Sequence, residues 1–316
     1  MRPHARRCPH GGGPAVAGGE PRVAAVAARL RHDESVTLTL PEAALADLAS
    51  LVRRGNVAVL SGAGISTESG IPDYRGPSGA FQRNHTPMTY QAFTRDQTAR
   101  RRYWARSFLG WRMMSRANPN DGHRAVAQLQ QNGLVRGIIT QNVDGLHQAG
   151  GAADVIELHG SLDRVICLDC GDLTTRIELD DRLRGANPDF RHDTDPDTVN
   201  PDGDVDLAEE LLDGFAVVDC VDCGGVLKPD VVFFGESVPK DRVADCHASV
   251  DRAESLLVLG SSLTVYSGRR FVMQATKLGI PVAIVNQGPT RSDDCAAVRL
   301  DAPLGPTLTA LAAATA

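Results

Sequence analysis

The chain has 316 residues, of which 33 are basic and 39 acidic, so its formal net charge is −6. Hydrophobic residues make up 42% of the sequence and aromatic residues 4%, which is typical of a globular protein of about two domains. No run of about 18 apolar residues occurs, so no transmembrane helix is predicted. The net acidic charge argues against a nucleic-acid partner, since binding to phosphates needs a basic surface.

Residues 1–34 are predicted to be a disordered tail. Up to Arg31 the stretch contains six arginines and one acid, Glu20, with glycine and proline clusters and no sustained periodicity. It could instead be an organelle transit peptide or an extension upstream of the true start, and no secretory signal is recognisable. The expected location is the cytoplasm, or the mitochondrial matrix if the tail is a transit peptide.

The next segments predict an α/β protein. Apolar residues between Ala44 and Val52 have helical spacing, and this helix is predicted to end at Gly55. Short apolar runs, each followed by a polar or glycine-rich turn, predict strands at 57–60, 135–139, 155–158, 256–259 and 282–285. Continuous apolar strands separated by helices are typical of a parallel sheet covered on both faces, with ligands at the carboxyl ends of its strands.

Two regions do not fit that sheet. Residues 74–111 hold eight of the fourteen aromatic residues of the chain. Residues 178–213 contain thirteen acids against three arginines, a net charge of −10. We expect this acidic region to be a solvated insertion.

The first strand leads into Gly62-Ala63-Gly64, a turn that suits a phosphate because glycine allows close approach of the backbone. A tight structural turn is the alternative. The third glycine of an ordinary dinucleotide fingerprint would fall at Thr67, so a dehydrogenase site matches poorly. Downstream, Asp73 and Arg75 lie in a rigid Gly-Pro loop that is suited to gripping a nucleotide, although an arginine there could simply be solvated.

Polar turns follow the other predicted strands. Gln141, Asn142 and Asp144 are suited to recognising a ribose and an amide, with a capping loop as the alternative. His159 follows the third strand and is a candidate general base, although a lone histidine is usually structural. The turns after the last two strands suit the rest of a nucleotide, or are ordinary loops; they are Gly260-Ser261-Ser262 and Asn286-Gln287-Gly288.

Four cysteines give the sharpest signal. Cys167-x-x-Cys170-Gly and Cys220-x-x-Cys223-Gly can direct four thiolates to one point, which predicts a tetrahedral zinc site. Four thiolate ligands leave no open coordination position, so the zinc is expected to be structural. A redox dithiol is the alternative. The acidic region separates the two pairs and is predicted to be an insertion in this zinc ribbon.

In this order, the motifs resemble the sirtuin family of NAD-dependent protein deacylases over residues 40–310. The motifs are Gly62 to Ser66 with Gly70 to Arg75, Thr140 to Asp144, Leu158-His159-Gly160, the four cysteines and Gly260-Ser261-Ser262. Three further stretches are similar to the class II branch; they are 102–106, 227–236 and 288–294. The resemblance implies a Rossmann-like large domain, 35–73 with 136–160 and 226–316, and a smaller domain. That smaller part combines a helical insertion and cofactor loop, 74–135, with a zinc-ribbon module, 161–225.

The resemblance also implies roles for the residues. NAD and an acyl-lysine would meet between the domains, the acyl oxygen would displace nicotinamide, and His159 would act as base before water releases lysine and O-acyl-ADP-ribose. Asn142 and Asp144 would assist at the reacting sugar. The implied NAD ligands are Gly62, Ala63, Gly64, Thr67, Asp73, Arg75, Gln141, Asn142, Asp144, Gly260, Ser261, Ser262, Asn286, Gln287 and Gly288. The peptide would lie as a strand between 262–265 and the segment Val232, Phe233, Phe234, Gly235 and Glu236.

Tyr103 and Arg106 have the Tyr-x-x-Arg spacing with which related desuccinylases hold an acidic acyl chain. The alternative for this part of the chain is that Trp104, Phe108 and Trp111 pack the helical insertion or line a longer apolar channel. Three other functions remain open at this point: mono-ADP-ribosyl transfer to protein, non-catalytic binding of NAD or ADP-ribose, and a zinc-ribbon nucleic-acid module, which the acidic insertion disfavours. The expected partners are acyl-lysine proteins or peptides, with no nucleic acid and no membrane.

Overall fold

The structure, a computed structural model, describes residues 42–76, 79–80, 86–190, 199–207, 212 and 214–316. The predicted tail, 1–34, lies outside these residues. Within the described part of the chain, no helix combines the length and the apolar character needed to cross a membrane.

The described residues form nine strands and nine α-helices. The strands are β1 (Val57–Ser61), β2 (Val135–Thr140), β3 (Val155–Glu157), β4 (Gly160–Cys167), β5 (Leu173–Thr175), β6 (Leu227–Val231), β7 (Ser255–Leu259), β8 (Val282–Val285) and β9 (Val298–Leu300). The helices are α1 (Glu42–Val52), α2 (Tyr90–Arg95), α3 (Gln97–Met114), α4 (Asp121–Gln131), α5 (Leu146–Ala149), α6 (Arg176–Ala186), α7 (Lys240–Asp251), α8 (Tyr266–Leu278) and α9 (Leu304–Thr315).

Six strands form one parallel sheet in the order β3-β2-β1-β7-β8-β9. Every residue of the central strand β1 is buried, as are those of β7 and β8. These strands are buried on both faces, which explains their continuous apolar sequence. The five predicted strands and the α/β class with a parallel sheet are therefore confirmed.

Helices cover both faces of this sheet. On one face, Leu48 of α1, Val126 of α4 and Leu308 of α9 pack against the sheet in one apolar cluster. On the other face, Val250 of α7 and Phe271 of α8 belong to a second cluster. With both faces covered, the exposed carboxyl edge of the sheet is left as the place for a ligand.

A second, smaller sheet is antiparallel, with the order β5-β4-β6. It shares an apolar cluster with α2, α3 and α6, and the aromatic-rich region supplies much of that cluster. Phe93, Tyr103 and Trp104 pack edge to face there, with ring centroids 5.3–6.3 Å apart. This small unit combines the cysteine turns with the helices, as expected, whereas the exact domain boundaries stay a prediction.

The expectation that the acidic region is solvated is wrong for α6. Arg176 and Asp180 are almost fully buried and form an ion pair, N···O 3.6 Å, and the Arg176 guanidinium lies 4.8 Å from the ring centroid of Trp111. Leu179 and Leu183 are buried on the same face of the helix. Spacings of three and four residues place these four side chains together, and a count of charges does not detect that pattern.

Candidate active site

A cleft of about 1280 Å³ opens at the carboxyl edge of the parallel sheet. This exceeds the roughly 300–1,000 Å³ of a pocket for one small ligand, so two molecules can meet there. Turns after β1, β2, β3, β7 and β8 all contribute to its lining, as the strand pattern predicts. Of the residues predicted from the sequence, the cleft is lined by Gly62, Ala63, Gly64, Asp73, Arg75, Gln141, Asn142, Asp144, His159, Val232, Phe233, Phe234, Gly235, Glu236, Gly260, Ser261, Ser262, Asn286, Gln287 and Gly288.

The glycine turn after β1 is held against the turn after β7. The Gly64 amide donates to the Gly260 carbonyl at 2.9 Å. A Cβ on Gly62 would lie 2.8 Å from the Cβ of Ser261, and one on Gly64 would lie 2.8 Å from the Cα of Gly260. Glycine is therefore needed at both positions for the loops to touch, which leaves their backbone facing the cleft.

Thr67 does not line the cleft with its neighbours. Its hydroxyl donates to the carbonyl of Gly64 at 3.0 Å and so closes the local turn. Ser66, which the sequence analysis did not assign to the site, lines the cleft instead. Its fully buried hydroxyl donates to Asp144 Oδ2 at 2.6 Å and accepts from Asn142 Nδ2 at 3.1 Å.

Asn142 and Asp144 are fixed by this serine. Asn142 Nδ2 also donates to the Gly62 carbonyl at 3.1 Å, which ties the turn after β2 to the glycine turn. Burial raises the pKa of the Asp144 carboxyl, while the hydrogen bonds from Ser66 and the Leu146 amide oppose that shift. The site therefore holds a partly desolvated carboxyl and a rigid amide side by side.

His159 projects into the cleft with both ring nitrogens hydrogen-bonded. Nδ1 lies 2.9 Å from the Gln141 carbonyl oxygen and Nε2 lies 2.8 Å from Ser267 Oγ. A carbonyl oxygen only accepts, so Nδ1 carries the ring proton. Burial lowers the pKa of His159 to about 4, and the charges of Arg242 and Arg270 act in the same direction. The ring is thus neutral at physiological pH, with the lone pair on Nε2 accepting from Ser267.

The segment 232–236 forms one wall of the cleft. The Val232 amide donates to the His159 carbonyl at 2.8 Å, so this segment is fixed to the turn that carries the histidine. Phe233 is 6% exposed and packs on Tyr103. Glu236 accepts from the Phe233 amide at 2.8 Å and pairs with Lys228 at 3.2 Å, so its carboxylate stabilises the turn.

Besides Thr67, two predicted residues do not line the cleft, Tyr103 and Arg106. Tyr103 is 1% exposed inside the aromatic cluster, behind Phe233. Arg106 forms ion pairs with Asp204 at 3.2 Å and Asp206 at 2.7 Å. Neither is among the described residues that line the cleft. This placement argues against the expected contact with an acidic acyl chain, because the guanidinium is already neutralised by its own chain.

The four predicted cysteines lie together at the turns next to β4 and β6, and their sulfurs are all within 4.8 Å of one another. Sγ of Cys167 is 3.5 Å from that of Cys223, and Sγ of Cys170 is 3.8 Å from that of Cys220. Zinc–sulfur bonds of about 2.3 Å in a tetrahedron give sulfur separations of about 3.8 Å. The four thiolates therefore fit one zinc ion.

Comparison with known proteins identifies the family of this site. The Sir2 family model matches residues 62–267, which include the cleft turns after β1, β2, β3 and β7, His159 and all four cysteines. The chain belongs to the Sir2 family. NAD-dependent protein deacetylase 1 of Streptomyces coelicolor (strain ATCC BAA-471 / A3(2) / M145) is 61% identical to this Sir2-family chain over 268 residues, 85% of this chain and 89% of that protein.

Other Sir2 proteins are similar at lower identity. The human NAD-dependent protein lipoamidase sirtuin-4, mitochondrial, is 48% identical over 249 residues, 78% of this chain and 79% of that protein. A solved structure described as Sir2-p53 peptide-NAD+ is 30% identical, with a TM-score of 0.64, and covers 84% of this chain and 95% of its own. The fold of this Sir2-family chain is thus the fold of enzymes whose structures have been solved.

Proposed function

We propose that this protein is an NAD-dependent protein-lysine deacylase, which transfers the acyl group of a modified lysine to ADP-ribose. The observation that carries the proposal is the neutral imidazole of His159, which lines the same cleft as Asn142 and the glycine turn. Membership of the Sir2 family and similarity to proteins named NAD-dependent protein deacetylase support the same function.

The residues of the cleft fit NAD. The exposed backbone of Gly62 to Gly64 allows a pyrophosphate to approach closely, because no side chain stands in the way. Asn142 and Asp144 offer an amide and a carboxyl for the nicotinamide ribose. Ser261, Asn286 and Gln287 offer hydrogen-bonding groups to the adenosine half. When bound, NAD supplies a sugar carbon from which nicotinamide can leave.

His159 acts as the general base in this proposal. Its Nδ1–H stays bonded to the Gln141 carbonyl, which fixes the tautomer and leaves Nε2 to accept a proton from a sugar hydroxyl. The Gln141 carbonyl also stabilises the imidazolium that results.

The acylated substrate is a protein or peptide that binds between 232–236 and 262–265. Both segments line the cleft, and a peptide strand laid between them would bond mainly through its backbone. We therefore expect broad tolerance of the residues around the modified lysine. The acyl chain would extend past Ile71, Met88 and Phe233, which are apolar, so we expect an uncharged acyl group to be preferred over an acidic one.

The function is tested with purified protein, NAD and a panel of peptides that carry acetyl-, lipoyl-, biotinyl-, glutaryl- or methylglutaryl-lysine. We expect release of nicotinamide and formation of an O-acyl-ADP-ribose with at least one peptide, detected by mass spectrometry. Transfer of ADP-ribose to protein without release of free lysine would contradict deacylation. Binding of NAD without turnover on any peptide would contradict an enzymatic role.

Replacing the proposed base gives the first specific prediction. His159→Ala should still bind NAD but lose about 10²-fold or more in turnover, because no other group at that position can take the proton. Binding is measured by calorimetry and turnover by product formation. The matched control is His247→Ala on α7, whose imidazole bonds to Gln274 instead. Equal activity of both variants would remove His159 as the base.

A further inference from the structure

Nε2 of His159, the atom that must accept a proton, is already occupied. Ser267 Oγ lies 2.8 Å from it, within the distance of a good hydrogen bond. Because Nδ1 donates to the Gln141 carbonyl, the hydroxyl of Ser267 is the donor and Nε2 the acceptor. A substrate hydroxyl can therefore reach Nε2 only by displacing Ser267 or by passing its proton through it.

The chain holds Ser267 firmly in this place. Ser267 is in the first turn of α8, which begins at Tyr266. The next residue, Gly268, packs so closely on Gln141 that a Cβ there would lie 2.4 Å from the Gln141 Oε1. Gln141 Nε2 is itself bonded to Ser261 Oγ at 2.8 Å and to the Ser61 carbonyl at 3.2 Å. The start of α8 and the carbonyl that orients His159 thus form one packed unit, which makes displacement of Ser267 costly.

The surroundings favour a group that can both donate and accept. Arg242 and Arg270 act on His159 electrostatically, and their charges oppose a positive charge on the ring. A hydroxyl donates to neutral Nε2 and, after turning about its C–O bond, accepts from protonated Nε2. Ser267 can therefore stay bonded to the ring in both protonation states, which a fixed donor could not do.

We propose that Ser267 relays the proton from the substrate to His159. Building on the proposed deacylase function, the hydroxyl of the bound sugar gives its proton to Ser267 Oγ while the proton of Ser267 moves to Nε2. One O–H bond of the sugar breaks and one forms on Ser267, and the Ser267 O–H bond breaks as the N–H bond forms. The sugar oxygen keeps its electron pair as the nucleophile, and the positive charge is on the imidazolium.

The kinetic test compares Ser267→Ala, Ser267→Thr and, as a matched control, Thr276→Ala. Thr276 is on the same helix, and its hydroxyl bonds to the Val272 carbonyl at 2.9 Å. We expect Ser267→Ala to lower kcat about tenfold or more, which is part of the roughly 10²–10⁴-fold contribution of general acid–base catalysis, with the KM for NAD unchanged. Ser267→Thr should keep most of the activity because it keeps the hydroxyl. Nicotinamide release in the first turnover should persist in Ser267→Ala, while O-acyl-ADP-ribose forms slowly.

A solvent isotope experiment separates a relay from a structural role. Two protons move in one step in the relay, so wild-type kcat should vary non-linearly with the fraction of D₂O, and the dependence should become linear in Ser267→Ala. Wild-type kcat, or a wild-type isotope dependence, in Ser267→Ala would overturn the proposal. Failure of the deacylase function would be distinct, since the wild-type protein would then form no product.

A second readout needs neither NAD nor turnover. In the NAD-free protein, the ¹⁵N resonances of His159 should show a proton on Nδ1 and none on Nε2. Ser267→Ala should shift the Nε2 resonance to that of a nitrogen that has lost a hydrogen bond and should leave Nδ1 unchanged. A proton on Nε2, or an Nε2 resonance unaffected by the substitution, would overturn the relay.

Discussion

Gly64 lies where the turns after β1 and β7 touch through their backbones. A Cβ at this position would be 2.8 Å from the Gly260 Cα, and backbone cannot move aside as the end of a side chain can. We expect Gly64→Ala to lower the free energy of unfolding by about 1–3 kcal/mol, the usual cost of overpacking. The added Cβ would push the turns after β1 and β7 apart. Affinity for NAD should then fall about tenfold or more, because a shift of about 1 Å misplaces the groups that bind the cofactor. Urea titration and calorimetry measure the two effects.

Gly185→Ala is the matched control for that substitution. Gly185 is in the last turn of α6, and no atom of the described residues lies within 4 Å of a Cβ placed there. Alanine is a better helix former than glycine by about 1 kcal/mol, so this variant should be equally or more stable and should bind NAD like the wild type. Equal losses in both variants would show that the close contact at Gly64 is not what matters.

Single residues also show where sequence reasoning stops. His159, Asn142 and Asp144 could be chosen because each follows an apolar strand whose end must face the ligand edge of a parallel sheet. Ser66 and Ser267 could not. Ser267 reaches His159 across 108 positions of sequence, and nothing local distinguishes it from any other serine at the start of a helix. Ser267 is placed beside His159 by tertiary packing, in which Gly268 lies against Gln141.

At the scale of elements, the two cysteine turns are expected to depend on zinc. Each turn is short and the small antiparallel sheet beside them has only three strands, so the metal is expected to hold the two turns together. The protein as purified should contain about one zinc per chain. A strong chelator should remove it and unfold the small unit, visible as loss of near-ultraviolet signal from Trp104 and Trp111.

Two variants distinguish the effect of losing a zinc ligand from the effect of losing any cysteine. Cys170→Ala should abolish zinc binding, whereas Cys246→Ala should keep it, since Cys246 is buried in the apolar cluster beside the parallel sheet. Metal content is measured by atomic absorption. A metal-free protein with intact near-ultraviolet signal would contradict a structural role for zinc.

The elements themselves were predictable to different degrees. Strands β1, β7 and β8 stand out because burial on both faces demands an unbroken apolar run, while β2 and β3 are predicted from apolar runs that are only partly buried. The edge strand β9 was missed, because it has three residues and exposed Arg299 is its middle one. Helix α6 was read as solvated because charge dominates its composition, although its buried face carries Leu179 and Leu183. Edge strands and amphipathic helices depend on tertiary partners that a sequence does not display.

At the scale of the whole molecule, three buried or partly buried histidines make the stability of the folded state depend on pH. His123, His147 and His159 are held neutral in three different surroundings. Burial lowers their pKa values to about 3, about 4 and about 4, respectively. His147 bonds to the buried hydroxyl of Ser61 at 2.8 Å, and its ring packs on that of His123 with centroids 5.1 Å apart. Burial disfavours the charged form of each imidazole, so their protonation opposes the folded state.

Acid should therefore destabilise the protein well above the pH at which most carboxylates titrate. An unfolded histidine has a pKa of about 6.5 and the folded ones about 3–4, so the unfolded state binds more protons between those values and stability falls as pH falls from 6.5 towards 4. Three such groups give a slope of at most about 4 kcal/mol per pH unit. Asp144 offsets part of this loss of stability, because burial raises its pKa and the folded state therefore binds that proton more readily than the unfolded state does. Urea midpoints should decrease in the order pH 7.5, 6 and 5, because the unfolded histidines take up protons as the pH falls and the folded ones do not. The decrease should be steeper below pH 6.5 than above it. Midpoints that stay level from pH 7.5 to 5 would mean that the three imidazoles accept protons without leaving the folded state.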